Sequence, residues 1–127
     1  MYINYGARFI MTYVDAIEPE QMIAKAQMVA GQLKLLSNPS RLQIVCKLMD
    51  GELSVGELEA ELGISQPSLS REIGRLRNAG VLTPRREAKS VFYSLTNPAM
   101  VSLIEALCVA CKAMENANDK TGNKIAP

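Results

Sequence analysis

The chain has 127 residues, of which 48% are apolar and 21% charged, and its formal net charge is +1. That length and composition fit one domain with a core of its own, and with no histidine at all the commonest general base and many metal sites are excluded. There is no apolar run of about 18 residues and no charged-then-apolar leader, so neither a membrane span nor a signal peptide is expected. The expected location is cytoplasmic, where the three cysteines would stay reduced instead of forming a disulfide framework.

Residues 1–18 mix aromatic residues with few helix signals and read as an N-terminal extension, with Met11 and Met22 as alternative starts. Pro19 in a first-turn position opens a helix. Its apolar residues Met22, Ile23, Ala26, Val29, Ala30, Leu33 and Leu36 keep helical spacing to about Ser37. Asn38 as N-cap and Pro39 behind it start a second helix to about Met49, expected to bury Leu42, Val45, Cys46 and Met49 before Asp50-Gly51 stops it.

Ser54 to Gly80, SVGELEAELGISQPSLSREIGRLRNAG, reads as two amphipathic helices joined by a tight turn. Ser54 and Glu57 have the spacing of a capping box. Val55, Leu58 and Leu62 share one face, and Gly63 suits a helix C-terminus. Ser65 is expected to cap the next helix, with Pro67 in its first turn. Leu69, Ile73 and Leu76 then form a buried stripe that leaves Gln66, Ser68, Ser70, Arg71 and Arg75 facing outward. Such groups hydrogen-bond base edges and phosphates, so the pair is expected to be a DNA-reading helix-turn-helix.

Val81 to Leu95 follows as a two-stranded hairpin with a charged tip at Arg86 to Lys89, in the position of a wing. The stretch from Ser65 to Leu95 carries Arg71, Arg75, Arg77, Arg85, Arg86 and Lys89 against only Glu72 and Glu87, whereas Asp50 to Leu62 is acidic throughout. Positive charge is therefore concentrated on the elements expected to meet DNA. Ser65, Gln66, Ser68, Ser70 and Arg71 are the candidate groove contacts, Gln66 suited to adenine and Arg71 to guanine. Arg75, Arg85, Arg86 and Lys89 are candidates for phosphate or the minor groove.

Asn97-Pro98 repeats the earlier start signal, and a last helix is expected to about Met114, with Met100, Ile104, Leu107, Cys111 and Met114 on one stripe beside Leu103 and Cys108. Residues 115–127 are polar and expected to be a disordered tail, which leaves 19–114 as the DNA-binding and dimerisation domain. The expected fold is mainly α, a winged helix-turn-helix in the order α-α-α-α-β-β-α. The first and last helices are more apolar than lone surface helices need and are expected to form a homodimer interface that matches a palindromic operator in double-stranded DNA.

The order of elements, with the segments LSNPSRLQIV, GISQPSLS and RREAKSVFYSL, resembles the ArsR/SmtB family of bacterial transcriptional repressors over about Ala26 to Cys111. Within it the chain looks most like the BigR/SqrR-type sensors, which respond to persulfides through one cysteine on the second helix and another on the last. Cys46 matches the first position. Cys111 lies closest to the second, and Cys108 is one turn earlier. The resemblance implies a dimeric repressor that releases operator DNA when a low-molecular-weight persulfide oxidises this pair. Three departures bear on that. Many relatives have a histidine where this chain has Arg71-Glu72, and the cysteine box of arsenic and cadmium sensors is missing from Val55 to Leu62, as is the histidine-carboxylate site of zinc sensors on the last helix.

A thiol senses when its thiolate is populated and reachable and a second thiol can resolve the intermediate. By itself, Cys46 on a helix face expected to be buried reads as a small core hydrophobe. Two other regulatory readings use the same residues: arsenite or another soft metal held by Cys46, Cys108 and Cys111 as thiolates, or a general thiol redox switch. No bound metal, cofactor or catalytic residue is expected, since no paired carboxylates or helix-N-terminal CxxC motif supports an enzyme.

Overall fold

A computed structural model describes residues 16–121, so residues 1–15 of the expected extension and residues 122–127 of the expected tail lie outside the described residues. Two compact units divide after Leu36. The first contains α1, Pro19–Leu36, on which Ile23, Met28, Val29 and Leu33 are exposed.

The second unit holds α2 (Pro39–Leu48), β1 (Leu53–Ser54), α3 (Val55–Leu62), α4 (Ser68–Asn78), β2 (Leu82–Glu87), β3 (Ser90–Leu95) and α5 (Pro98–Thr121). Its boundaries follow from the caps. Asn38 Oδ1 accepts from Arg41 N–H at 3.0 Å, and Asn97 Oδ1 accepts from the N–H groups of Ala99 and Met100. Ser54 Oγ accepts from Glu57 N–H at 3.1 Å while Glu57 Oε1 accepts from Ser54 N–H at 3.0 Å, a complete capping box. Gly63 closes α3 at φ 69°, a left-handed conformation that costs a glycine little. At the end of α4, Gly80 (φ 76°) donates to Arg77 C=O and Val81 N–H donates to Leu76 C=O. Those two bonds make a Schellman motif, and its apolar partners Leu76 and Val81 are fully buried.

The start of α4 differs from the expectation. Its N-cap position is Pro67, with no side-chain cap, and Ser65 contributes its backbone C=O, which accepts from Leu69 N–H at 3.0 Å. Ser65 sits one residue outside the turn at Gln66-Pro67 that leads into the helix, too early for its hydroxyl to cap it.

The sheet is antiparallel in the order β1-β3-β2. Leu53 and Ser54 pair with Tyr93 and Phe92, and Leu82 through Glu87 pair with Leu95 through Ser90. β1, two residues long, has no signal of its own in the sequence and exists because β3 offers it an edge. Pro84 is accommodated because β2 is an edge strand. The hairpin turns at Ala88 and Lys89 alone, with Ala88 at φ 54°, so Arg86 lies in the ladder opposite Val91 instead of at the tip.

The core of this unit joins Ile44, Val45 and Leu48 of α2, Leu58 of α3, Leu69, Ile73 and Leu76 of α4, Val81 and Leu82 at the start of the wing, and Met100 and Ile104 of α5. Each such side chain contributes about 1.5–3 kcal/mol of apolar burial. Two expectations are corrected here. The buried stripe of α2 is Arg41, Ile44, Val45 and Leu48, one residue away from the expected one, so Cys46 is exposed. The rotation follows from Arg41, which faces inward because Arg41 Nη1 donates to Glu72 Oε1 of α4 at 2.8 Å. α5 runs on to Thr121, past Met114: losing the apolar pattern does not end a helix, and the next residue that disfavours one is Gly122. Beyond Ile104 the expected stripe is open, Leu107 half-buried and Cys111 and Met114 exposed.

Candidate nucleic-acid interface and thiol cluster

α4 presents Ser70, Arg71 and Arg75 on its exposed side, with Gln66 exposed in the preceding turn, Ser65 exposed ahead of it and Ser68 half-buried at the first helical position. Ser70 Oγ donates to Gln66 Oε1 at 2.9 Å. That bond uses the Gln66 carbonyl oxygen and not its amide N–H groups. Arg71 is 61% exposed at its side chain, and its Nε is 3.9 Å from Glu72 Oε2. Glu72 thus has one oxygen on the buried Arg41 and the other beside the surface Arg71. Its carboxylate fixes both the seat of α4 and the root of its leading arginine.

On the wing, Arg86 and Lys89 are exposed. Arg85 is exposed too, but its guanidinium is engaged: Nε lies 3.1 Å from both oxygens of Glu52, Nη2 also donates to Glu52, and Nη1 donates to Glu87 at 2.9 Å. The group sits 4.9 Å over the Phe92 ring. The carboxylates raise the Arg85 pKa further, and the hydrogen bond from Arg85 holds the Glu52 carboxyl below its ordinary range. The site residues that the sequence reading missed are Arg41, Glu72 and Glu52. A signal for the first two exists: Arg41, Ile44, Val45, Leu48 and Leu69, Glu72, Ile73, Leu76 are both i, i+3, i+4, i+7 sets, each with one charge of opposite sign.

Cys46 on α2 and Cys108 and Cys111 on α5 are all exposed thiols. Partial burial pushes the Cys46 thiol up from its ordinary value, and the negative charge of Cys108 and then Cys111 pushes it further. The three sulfurs therefore share one electrostatic neighbourhood, although they come from segments more than sixty positions apart in sequence. Cys111 Sγ donates weakly to Glu115 Oε1 at 4.0 Å. Among the described residues, no three cysteine or acidic side chains are placed to hold a metal ion, and no helix is long and apolar enough to cross a membrane.

Residues 38–83 match the family profile described as "Bacterial regulatory protein, arsR family". Among curated proteins, the chain is 50% identical over 96 residues to the biofilm growth-associated repressor of Agrobacterium fabrum, spanning 75% of this chain and 82% of that one. It is 44% identical over 90 residues to the transcriptional activator HlyU of Vibrio cholerae, covering 71% and 81%. Among solved structures, the transcriptional repressor BigR from Xylella fastidiosa superposes with a TM-score of 0.69 at 46% identity, over 74% of this chain and 96% of that one.

Proposed function

The chain belongs to the arsR family of bacterial regulatory proteins and is a DNA-binding transcriptional repressor, not an enzyme; from that premise we propose that it senses reactive sulfur through Cys46 with Cys111 or Cys108 and releases its operator when they are joined. The observation that carries this reading is the electrostatic neighbourhood of the three exposed thiols on α2 and α5. The working form is a cytoplasmic homodimer on a palindromic site. Support comes from the exposed Val109 and Met114 of α5 and the exposed Ile23, Met28, Val29 and Leu33 of α1, apolar surface that each helix leaves open.

In the dithiol state Ser65, Gln66, Ser68, Ser70 and Arg71 read the major groove, while Arg75, Arg86 and Lys89 meet the backbone. A cysteine thiolate takes the outer sulfur of a low-molecular-weight persulfide and releases the corresponding thiol. The resulting protein persulfide attacks the inner sulfur of a second persulfide molecule and expels hydrosulfide. The second cysteine thiolate then attacks the middle sulfur, expels the remaining thiolate and closes a three-sulfur bridge. Two protein thiols are oxidised and one sulfane sulfur leaves reduced. Such a bridge spans a wider gap than a direct disulfide, whose Cα atoms lie within about 7 Å.

Tying α2 to α5 loads the helix that carries Arg41, and Arg41 holds Glu72 of the reading helix. A shift of the two reading helices away from the roughly 34 Å spacing of successive major grooves weakens binding. A coupling of about 1–3 kcal/mol corresponds to a 5- to 150-fold loss of operator affinity.

Anaerobically reduced protein treated separately with glutathione persulfide, hydrogen peroxide and arsenite, then weighed intact and peptide-mapped, tests the chemistry. Gain of whole sulfur atoms in a crosslink from Cys46 to Cys108 or Cys111, absent with peroxide, is expected. Retained arsenic would instead favour a soft-metal sensor, and loss of two hydrogens with no sulfur gain a general redox switch. Operator release by persulfide from a Cys46→Ser, Cys108→Ser, Cys111→Ser protein would overturn the reading altogether. The pH dependence has a definite sign as well. Cys46 alkylation will keep rising with pH through 9, the ordinary value of a thiol. In the Cys108→Ser, Cys111→Ser protein the curve moves to lower pH, because two neighbouring negative charges are gone; an unmoved curve would separate Cys46 from the other two thiols.

A further inference from the structure

Arg85 has the residue type and location of a DNA contact, yet each nitrogen of its guanidinium already has a carboxylate partner, although the side chain is 48% exposed. Nε and Nη2 face Glu52, Nη1 faces Glu87, and the plane lies over Phe92. Across the sheet, Phe92 pairs with Ser54 on one side and Arg85 on the other. Ser54 is also the N-cap of α3, the first helix of the helix-turn-helix. Glu52 lies two residues before that cap. The ion pair therefore fastens β2 of the wing to the segment that enters the helix-turn-helix, across 33 positions of sequence.

We propose that Glu52 and Arg85 are positioning residues for DNA binding: their clamp sets the wing relative to the helix-turn-helix, so that Arg86 and Lys89 meet the DNA backbone while Arg85 itself does not. The inference rests on the DNA-binding reading above. An exposed pair of this sort adds little to stability by itself, but bidentate geometry makes it directional. A hairpin held only at its base by β-pairing can swing, and every degree of swing moves the charges at its tip. Holding it still removes an ordering cost from binding.

The clamp opposes what simple charge counting expects. Glu52→Gln adds one positive unit to the DNA-facing side, which should tighten binding if electrostatics alone decide. The clamp instead requires Glu52→Gln and Arg85→Ala each to weaken binding about 3- to 10-fold, the range of modest couplings between neighbouring groups. It also requires the double variant to be no worse than either single one, and the slope of log affinity against log salt to stay at the wild-type value, since no phosphate contact is lost. Exchanging the charges, Glu52→Arg with Arg85→Glu, should recover part of the loss.

The experiment is a titration of a duplex selected by the wild-type protein from a random pool, by fluorescence anisotropy at several salt concentrations, with thermal melts to confirm that each variant is folded. Tighter binding by Glu52→Gln, or a salt slope reduced by about one contact in Arg85→Ala, would overturn the clamp and make Arg85 a phosphate ligand. Failure of the wild-type protein to select any duplex would overturn the DNA reading itself, a result distinct from loss of the clamp alone.

Discussion

Replacing Glu72 with alanine is expected to lower the unfolding free energy by about 3–5 kcal/mol, and replacing Arg41 with alanine by a similar amount. The two side chains keep only 11% and 9% of their surface exposed and meet at 2.8 Å. Removing one takes this contact from the other buried charge, and the whole stability of a domain is about 5–15 kcal/mol. Urea titrations followed by circular dichroism measure the loss. Arg41→Met combined with Glu72→Leu should recover most of it, because the cost lies in keeping a charge buried after its 2.8 Å contact is lost more than in the missing attraction. Losses under about 1 kcal/mol in both single variants would mean that the pair behaves as a surface ion pair.

Arg71→Ala should reduce affinity for the best operator by about 1–3 kcal/mol and relax the choice of base at one position of each half-site, as expected for a side chain that reads a base edge. Lys89→Ala should instead weaken binding to all duplexes alike and reduce the salt slope by about one contact. Arg71 stands exposed on the reading helix, and Lys89 occupies the two-residue turn at the end of the wing. Selection of bound duplexes from a random pool, sequenced for both variants, separates the two effects. Equal, salt-insensitive losses without a change in preferred sequence would remove Arg71 from the groove.

Arg71 and Glu72 are adjacent, yet they do opposite work. Substitution of Glu72 will therefore affect DNA binding by two routes: through unfolding, and through the 3.9 Å contact that steadies Arg71. Glu72→Gln keeps the shape and one acceptor for Arg41 while removing the charge. Its comparison with Glu72→Ala distinguishes the seat of the helix from the electrostatics of its outer face.

The helix starts, turns and wing were legible in the sequence because they are local. Asn38-Pro39, Asn97-Pro98, the Ser54/Glu57 box, Gly63 and Gly80 each act within about five residues, and the structure realises them. The stripe of α4 was legible for a related reason: Leu69, Ile73 and Leu76 leave one apolar face to bury, and all three are buried. The polar face opposite, with the basic wing, is legible for the same reason, since the residues left over from the buried stripe are exposed.

What only the tertiary structure decided involves partners far apart in sequence. A hydrophobic template reads α2 as burying Cys46 because it assigns arginine to solvent. Glu72, 31 residues on, supplies the charge that lets Arg41 face inward, and the helix turns by one position to bring Cys46 out. By the same logic the sequence reads Arg85 as a contact to phosphate or the minor groove, whereas Glu52, 33 residues earlier, engages its guanidinium. The neighbourhood of Cys46 with Cys108 and Cys111 also needed the fold, since periodicity reports which face of a helix is apolar and not which other helix it approaches. Sequence determines local hydrogen bonding and apolar faces through short-range sterics and burial. The pairing of charges and thiols across the domain is set by packing, because a buried ion pair is tolerated only where both halves arrive together.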